Sequence, residues 1–299
     1  MTCESSRISS HRGAKPRHND RMSISNINHA DDPRLEDFRD IRDRDVRGPD
    51  GRPGVFIGEQ TLVVEKMLRR PALLRRVLVS EPRRAWLESA LADAGHPEVE
   101  ALVAPRPILE AVAGFPIHRG VIASGNRVSL EGRSIAEIVP PGDRPATVLV
   151  LESIRNIDNI GMLFRVAAAF GVDAVVLSPD CHDPLYRKSL RVSIGHALSI
   201  PFARSDDWKS DIESLRSRFG LHLIGASVGD GSTLPDATPR AVHDRVALIM
   251  GSEFDGLGPD ATATCDALVR IAMAAGVDSL NVGVAAAVLL DRFSTAPRS

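Results

Sequence analysis

The sequence contains no apolar run long enough to cross a bilayer, and its most apolar helix candidate, residues 282–290, suits only a buried helix. Cysteine is scarce, since the three cysteines, Cys3, Cys181 and Cys265, lie far apart and without CxxC spacing. This argues against a disulfide framework and against the common zinc motifs, and it favours a reducing cytoplasm and a protein with no metal or membrane partner. The formal net charge of −2 shows no overall positive excess, so contact with nucleic acid must depend on local patches.

Glycine-rich nucleotide signatures are also missing. The glycines that follow the apolar run 247–250 form neither a GxGxxG fingerprint nor a Walker loop, so neither a dinucleotide site nor an ATP site is supported. The remaining composition is that of an ordinary globular protein, with 43% hydrophobic and 25% charged residues. A chain of 299 residues is long enough for two domains with a substantial core.

The first half of the chain divides by composition. Residues 1–31 are polar and show no apolar periodicity, which predicts disorder; an organelle transit peptide has a similar composition but also an amphipathic pattern that is absent here. Residues 31–47 carry dense charge of both signs and a weak apolar stripe, which predicts a short surface helix. Because residues 54–125 alternate between strand-like and helix-like patterns, we predict a small α/β domain over 32–125. The predicted strands are 55–57, 77–79, 99–103 and 121–123, and the predicted helices are 60–69 and 83–94.

Local basic groups occur in this first domain. Arginine pairs stand at the ends of its predicted elements, where they either add only solubility or meet a phosphate backbone. The loop 114–120 places His118 and Arg119 between two glycines and beside an aromatic residue, a combination that suits contact with an unpaired nucleotide. The domain is therefore a candidate for substrate binding.

The second half is predicted to be a layered α/β domain. Residues 126–146 are rich in proline and glycine and are predicted to be a linker, with the second domain over 147–299. The run 147–151 is apolar without interruption, as is typical of a strand in a parallel sheet that is covered on both faces. Further predicted strands are 174–177, 191–194, 221–226 and 246–250, and the predicted helices are 160–170, 207–219 and 280–293.

Three stretches of this domain carry polar residues at the ends of predicted elements. Asn159 precedes the predicted helix 160–170, and Arg165 points away from the inward stripe of that helix; a helix cap and a surface arginine explain both. Gly251 and Glu253 follow the apolar strand 246–250, which is where ligands tend to lie in α/β sheets, although a plain turn fits the spacing equally well.

The third stretch precedes the last helix. Ser279 and Asn281 lie just before the apolar run from Val282, so they are candidate caps. The small residues at 274–276 allow a ligand to approach the backbone closely, so the same cap could also face a ligand.

Taken in order, the three stretches resemble the SPOUT superfamily of RNA methyltransferases, in its SpoU branch. The resemblance is strong over residues 147–293, and 54–125 is more weakly similar to the L30e-like substrate-binding domain of such enzymes. Two positions depart from the family pattern: Ala272 stands where proline is common, and Gly283 where a small polar residue is commoner. The matching residues are Asn159-Ile160-Gly161 with Arg165 and Phe170-Gly171; Gly251-Ser252-Glu253 with Gly256-Leu257; and Ile271-Ala272-Met273 with Ser279-Leu280-Asn281-Val282.

This resemblance implies a fold and an activity. The fold would be a parallel-sheet α/β domain with a C-terminal trefoil knot, preceded by the smaller L30e-like domain. The activity would be S-adenosylmethionine-dependent methylation of a ribose 2′-hydroxyl in tRNA or rRNA, carried out by a homodimer in which Arg165 reaches a site completed by the partner subunit. A SPOUT methyltransferase acting on a base nitrogen and a non-catalytic RNA-binding relative remain as alternatives.

The resemblance also assigns roles to individual residues. Arg165 would act in catalysis, and because a guanidinium is a poor base we favour it as a phosphate clamp and a stabiliser of the developing alkoxide. The other catalytic-site residues would be Asn159, Glu253, Ser279 and Asn281. The cofactor would contact Gly251, Gly256, Ile271, Met273 and Leu280. The substrate would contact His118, Arg119, Arg191 and Ser193.

Overall fold

A computed structural model describes residues 24–39, 41, 54–95, 99–117, 119–229, 232–234, 244–252, 254–277 and 279–294. Two sheets follow one another along the chain, a five-stranded sheet and then a six-stranded one. The predictions for His118 and Glu253 lie outside the described residues. Within the described residues, no helix is both long and apolar enough to span a membrane.

The first sheet is mixed and has the strand order β1-β4-β3-β5-β2. Strands β1, β4 and β3 run parallel, while β5 pairs antiparallel with both β3 and β2. The four predicted strands and both predicted helices of this region are confirmed within a few residues. The strands are β1 (Ile24–Asn26), β2 (Val55–Glu59), β3 (Leu74–Ser80), β4 (Glu100–Ala104) and β5 (Val121–Asn126), and the helices are α1 (Thr61–Leu68), α2 (Arg84–Ala94) and α3 (Arg106–Ala113).

The predicted disorder of residues 1–31 is wrong for residues 24–31. Ile24–Asn26 extend the first sheet by pairing parallel with β4, and Ile27 is completely buried. A strand of three residues is too short for its alternation to stand out in a polar sequence. The segment after it, predicted as a surface helix, contains a 3₁₀ helix over Pro33–Phe38 whose Leu35 and Phe38 are buried.

The second sheet is entirely parallel, as predicted, in the order β11-β9-β10-β6-β7-β8. All six residues of β6 are buried, because helices cover both faces of the sheet at its centre. The α/β fold class is therefore confirmed. The strands are β6 (Ala146–Leu151), β7 (Ala174–Leu177), β8 (Phe202–Arg204), β9 (His222–Ala226), β10 (Arg245–Met250) and β11 (Ala267–Val269). The helices are α4 (Ile135–Ile138), α5 (Ile157–Ala169), α6 (Arg187–Val192), α7 (Trp208–Ser217), α8 (Pro259–Thr264) and α9 (Val282–Phe293).

Two local predictions fail in this sheet. Residues 191–194 do not form a strand: Arg191 lies in the last turn of α6, which ends at Val192, and the chain then turns through Ile194 and Gly195, which have φ of 52° and 70°. A four-residue alternation cannot distinguish a strand from one helical turn. Asn159 is not a helix cap, because α5 begins one turn earlier and Asn156 caps it by accepting hydrogen bonds from the backbone N–H groups of Asp158 and Asn159.

Charged contacts join the two sheets. The buried carboxylate of Glu59 in β2 accepts a hydrogen bond from Arg187 in α6 at 2.7 Å, and the same guanidinium lies 4.2 Å over the ring of Phe115. Arg127, whose side chain is only 4% exposed, pairs with Asp183 beyond β7. One apolar cluster includes residues of both sheets, so the two halves pack together as neighbours.

The segment predicted as a linker, 126–146, is packed rather than loose. It contains α4, which begins with a capping box formed by Ser134 and Glu137. Arg245 at the start of β10 donates hydrogen bonds to the carbonyls of Pro140, Pro141 and Arg144. The proline- and glycine-rich composition therefore reflects a fixed irregular path over the second sheet.

Candidate active site

The carboxyl ends of β6 and β10 lie side by side at the centre of the parallel sheet, because Leu151 pairs with Met250. Beyond them is a cavity of about 360 Å³. This is the edge at which open α/β sheets bind their ligands. The cavity is lined by Glu152, Ser153, Arg155, Asn156, Asn159, Ser252, Phe254, Asp255, Gly256 and Gly258.

A buried carboxylate holds the wall of this cavity in place. Glu152, the first residue after β6, accepts hydrogen bonds from the indole N–H of Trp208 and from the backbone N–H of Gly258, both at 2.8 Å. An added Cβ at Gly258 would lie 2.8 Å from the Glu152 carboxylate, so only glycine fits there without displacing it. The end of β6, the start of α7 and the start of α8 are thereby held around one side chain.

The turn after β10 is very close-packed. Ser252 and Gly256 exchange backbone hydrogen bonds of 3.0 and 3.1 Å, and the Ser252 hydroxyl accepts a bond from Asp255 N–H at 3.0 Å. An added Cβ at Gly251 would lie 2.5 Å from Leu257 N and closer still to the Gly256 carbonyl. Of the predicted cofactor residues, Gly256 lines the cavity and Gly251 lies directly beneath the turn.

Two asparagines from distant stretches meet beside the cavity. Asn281 caps α9 by accepting a hydrogen bond from Gly283 N–H at 2.9 Å, and its amide donates to the Asn159 side-chain oxygen, also at 2.9 Å. The two helices approach closely here, since a Cβ on Gly283 would lie 2.7 Å from the Met162 side chain. The predicted cap at Asn281 is therefore confirmed, and the same side chain is bonded to a residue of the cavity lining.

Arg165 is exposed on α5 and is not among the residues that line the cavity. Within the described residues it forms no ion pair, and both Arg165 and Lys66 place a positive charge near His196. Burial lowers the pKa of His196, and the charges of Lys66 and Arg165 lower it further, so the imidazole is neutral at pH 7. The Lys66 ammonium is buried without a hydrogen-bond partner in the described part of the chain. Lys66 and Arg165 are thus two positive charges for which the described part of the chain supplies no paired carboxylate.

The segment after β11 carries the other predicted cofactor residues. Ile271 packs against the main apolar cluster and Met273 is half-buried, whereas Ser279 and Leu280 are exposed. The peptide groups of Ile271, Ala272 and Met273 make no hydrogen bond to any other described residue. This backbone is open to an external partner.

The predicted substrate residues are more scattered. Arg119 is exposed in the loop before β5, and Arg191 lies 3.5 Å from the Glu59 carboxylate at the junction of the sheets. Ser193 is completely buried and donates its hydroxyl to the Leu190 carbonyl at 3.1 Å, so a direct substrate contact by Ser193 is wrong. Its complete burial keeps the Ser193 hydroxyl away from any ligand at the surface.

Sequence reasoning missed two features of the site. Glu152 was not predicted because a single acid after an apolar strand has no characteristic spacing, and its partners Trp208 and Gly258 are distant in sequence. Phe254 is 96% exposed at the cavity rim, and a lone phenylalanine in a sequence gives no indication of such exposure. The signal available in the sequence was a phenylalanine within a stretch bounded by two glycines, Gly251 and Gly256.

Comparisons with known proteins agree with this geometry. The model of the SpoU rRNA methylase family matches residues 146–291. A Mycobacterium bovis protein described as an uncharacterised tRNA/rRNA methyltransferase is 39% identical over 279 residues, covering 92% of this chain and 93% of its own. The 23S rRNA (guanosine-2′-O-)-methyltransferase RlmB of Bordetella pertussis is 30% identical over 233 residues, covering 76% of this chain and 91% of its own. The AdoMet-bound rRNA methyltransferase of Sinorhizobium meliloti has a similar fold, with a TM-score of 0.68, 19% identity and coverage of 90% of this chain and 96% of its own.

Proposed function

Because the chain belongs to the SpoU rRNA methylase family, we propose that it is an RNA methyltransferase that transfers a methyl group from S-adenosylmethionine to a ribose 2′-hydroxyl. The relative from Bordetella pertussis carries out a guanosine-2′-O-methylation by its name. The observation that carries the proposal is the convergence of all three motifs at one edge of the sheet. Asn159 of the first motif and Ser252 and Gly256 of the second line one cavity, and Asn281 of the third donates to Asn159 at 2.9 Å.

The residues present fit the cofactor. Adenine has both donor and acceptor groups on its edge, and the free peptide groups at Ile271, Ala272 and Met273 offer partners of both kinds. Gly251 packs against the Gly256 carbonyl and so fixes the turn, whereas no atom lies within 4 Å of the Cβ position of Gly256, so a flat ligand can approach the backbone there. We assign cofactor contacts to these residues together with Gly256 and Leu280. The cofactor supplies an electrophilic methyl group on its sulfonium.

The catalytic roles follow from charge and position. The methyl acceptor must lie in line with the sulfonium methyl, and holding it there accounts for much of the rate gain. Asn159, Ser279, Asn281 and, from the motif alone, Glu253 would orient the ribose. Arg165, which stays protonated, would bind the neighbouring phosphate and stabilise the alkoxide as the 2′-hydroxyl loses its proton. The positive charge of Lys66, which like Arg165 acts on His196, supports a phosphate at that place.

In a homodimer, Arg165 of one subunit would reach the cavity of the other subunit. Val284 and Val288 lie one turn apart on the outer face of α9 and are 46% and 44% exposed, and Val277 and Leu280 nearby are also exposed. Apolar side chains grouped in this way suit a subunit interface. Arg165 on the neighbouring α5 would then contribute to the site of the partner subunit, and the C-terminal part of the sheet would contain the trefoil knot.

The first half of the chain would bind the RNA. We propose that the small domain, 32–125, contacts tRNA or rRNA through Arg119 and His118, with Arg191 at its border. The fixed junction at Glu59 and Arg187 would hold this domain in a constant position relative to the cavity. Both RNA classes occur in the cytoplasm, which we propose as the place of action.

Purified protein with labelled S-adenosylmethionine is expected to label one fraction of separated total RNA. Nuclease digestion followed by nucleoside mass analysis should then place the methyl group on a ribose, because the motifs are those of the 2′-O-methylating branch. The fraction labelled identifies the RNA class. A methylated base would contradict the proposed acceptor, and cofactor binding without labelling of any RNA would contradict the proposed enzyme.

Asn281 caps α9 and is also proposed to act at the site, so variants of this residue can separate the effect on stability from the effect on the methylation rate. Asn281→Ala is expected to lower the free energy of unfolding by about 1 kcal/mol through loss of the cap and the methylation rate by about a hundredfold through misplacement of Asn159. Asn281→Ser retains a capping oxygen, so it should keep the stability and still lose the rate. Urea titration and single-turnover methylation measure the two effects. Normal turnover by the serine variant would leave Asn281 with a capping role alone.

A further inference from the structure

Phe254 is the most exposed large apolar side chain in the described part of the chain. Its exposed fraction is 96%, compared with 67% for Val228, the next in order. Keeping a phenylalanine in water forgoes the favourable free energy of burying its ring. An aromatic ring in this setting is a candidate for contact with a ligand rather than for folding.

The turn that carries Phe254 is rigid rather than loose. Ser252 and Gly256, on either side of it, are joined by two backbone hydrogen bonds, and Asp255 N–H donates to the Ser252 hydroxyl at 3.0 Å. The contact of Gly251 with Gly256 leaves no room for the turn to sink inward. The ring is therefore held outward before any ligand arrives, which reduces the entropy lost on binding.

The ring of Phe254 lies at the rim of the cavity in which we place the ribose that accepts the methyl group. Phe254 lines the same cavity as Asn159, which we assign to the ribose. In a nucleotide the base is attached to C1′, the carbon next to the C2′ that bears the hydroxyl. A ribose held in this cavity therefore places its own base at the cavity rim, where the aromatic ring lies.

We infer that Phe254 stacks against the base of the nucleotide that is methylated, an inference that rests on the function proposed above. RNA-binding proteins commonly stack unpaired bases on aromatic side chains. Two other occupants are disfavoured by the geometry. The cofactor adenine would bind at the open backbone of residues 271–273. The apolar face proposed for a second subunit lies on α9. Since every base has a π-face, the ring contributes affinity and orientation without reading base identity.

Three substitutions of Phe254 test this contact, with a matched control elsewhere. The RNA is a short oligonucleotide that contains the methylated nucleotide, and its binding is measured by fluorescence anisotropy. Phe254→Ala is expected to weaken binding by about tenfold, and by up to about a hundredfold. Phe254→Trp should bind as well as the wild type, whereas Phe254→Leu, which is apolar but has no ring, should bind nearly as weakly as the alanine variant. Val128→Ala removes a side chain that is 56% exposed in the segment just after β5 and should change nothing.

An oligonucleotide that lacks only the target base identifies the partner of the ring. The wild type should bind this abasic RNA as weakly as Phe254→Ala binds the intact RNA, and the alanine variant should lose nothing further, because both changes remove the same contact. Additive losses would overturn the inference. Wild-type affinity in Phe254→Leu, loss of cofactor binding in Phe254→Ala, or a change in its sedimentation that indicates a lost subunit contact would overturn it as well. If the wild type methylates no RNA, the proposed function fails instead, so the two failures are distinguishable.

Discussion

Arg165→Ala is expected to abolish methyl transfer while cofactor binding and the fold stay intact. The guanidinium is exposed on α5 and forms no ion pair within the described residues, whereas Ile160 and Phe164 on the opposite side of the helix are buried. Its removal therefore costs little stability. Loss of one group that stabilises developing negative charge lowers the chemical rate by about 10²–10³-fold, and loss of the phosphate clamp adds to this.

Single-turnover methylation and calorimetric titration of the cofactor measure the two sides of this prediction. Arg216→Ala is the matched control, since Arg216 is an exposed helix arginine that pairs with Asp266 at 3.2 Å and belongs to none of the three motifs. The control variant should turn over normally. Normal turnover by Arg165→Ala would remove Arg165 from the mechanism, and loss of cofactor binding would assign it a different role.

The same variant tests whether the site is shared between subunits. If the protein is the proposed homodimer and Arg165 acts across its interface, co-expressed Arg165→Ala and Asn281→Ala chains would form mixed dimers in which one of the two sites has both residues intact. About half of randomly paired dimers are mixed, so activity should recover to about a quarter of the wild-type value. If Arg165 acts within its own subunit, the mixture stays inactive.

Gly251→Ala is expected to cause the largest combined loss of stability and cofactor affinity. Its Cβ would lie 2.5 Å from Leu257 N and nearer to the Gly256 carbonyl. Neither partner can yield easily, because Gly256 is bonded twice to Ser252 and the strand before it is central in the sheet. Forcing an extra carbon into such a site costs about 1–3 kcal/mol of unfolding free energy.

Urea unfolding and calorimetric cofactor titration check this expectation. Gly142→Ala is the control, because no atom lies within 4 Å of the Cβ that it adds. That variant should be equal in stability or more stable by a few tenths of a kcal/mol, since alanine restricts the unfolded chain. Equal unfolding curves for the two alanine variants would show that the turn after β10 tolerates the extra carbon.

The sequence predicted the sheet that carries the site better than the contacts that complete it. Uninterrupted apolar runs such as 147–151 identify buried parallel strands because both faces of the sheet are covered. The cap at Asn281 could be predicted because a polar residue before an apolar helix has few other uses. Short elements could not: β1 has three residues and α6 has six, and patterns of that length are ambiguous.

Long-range contacts also could not be predicted from the sequence. Nothing near Asn159 indicates that its partner lies 122 residues later in the chain. The helix start was placed one turn too late because Asn156 and Asn159 are both plausible caps. Only the packing of α5 on the sheet decides between them, and that decision moves Asn159 from the helix end to the cavity wall.

The junction between the sheets determines which chimaeras of this enzyme can work. Glu59 of β2 pairs with Arg187 of α6. In the second pair the signs are exchanged, because Arg127 after β5 pairs with Asp183 beyond β7. A first domain transplanted from another methyltransferase without these charges would leave α6 with a poorly compensated guanidinium, a defect of about 3–5 kcal/mol when the charge is buried. Exchange of RNA specificity by domain transplantation therefore requires α6 to be transplanted as well.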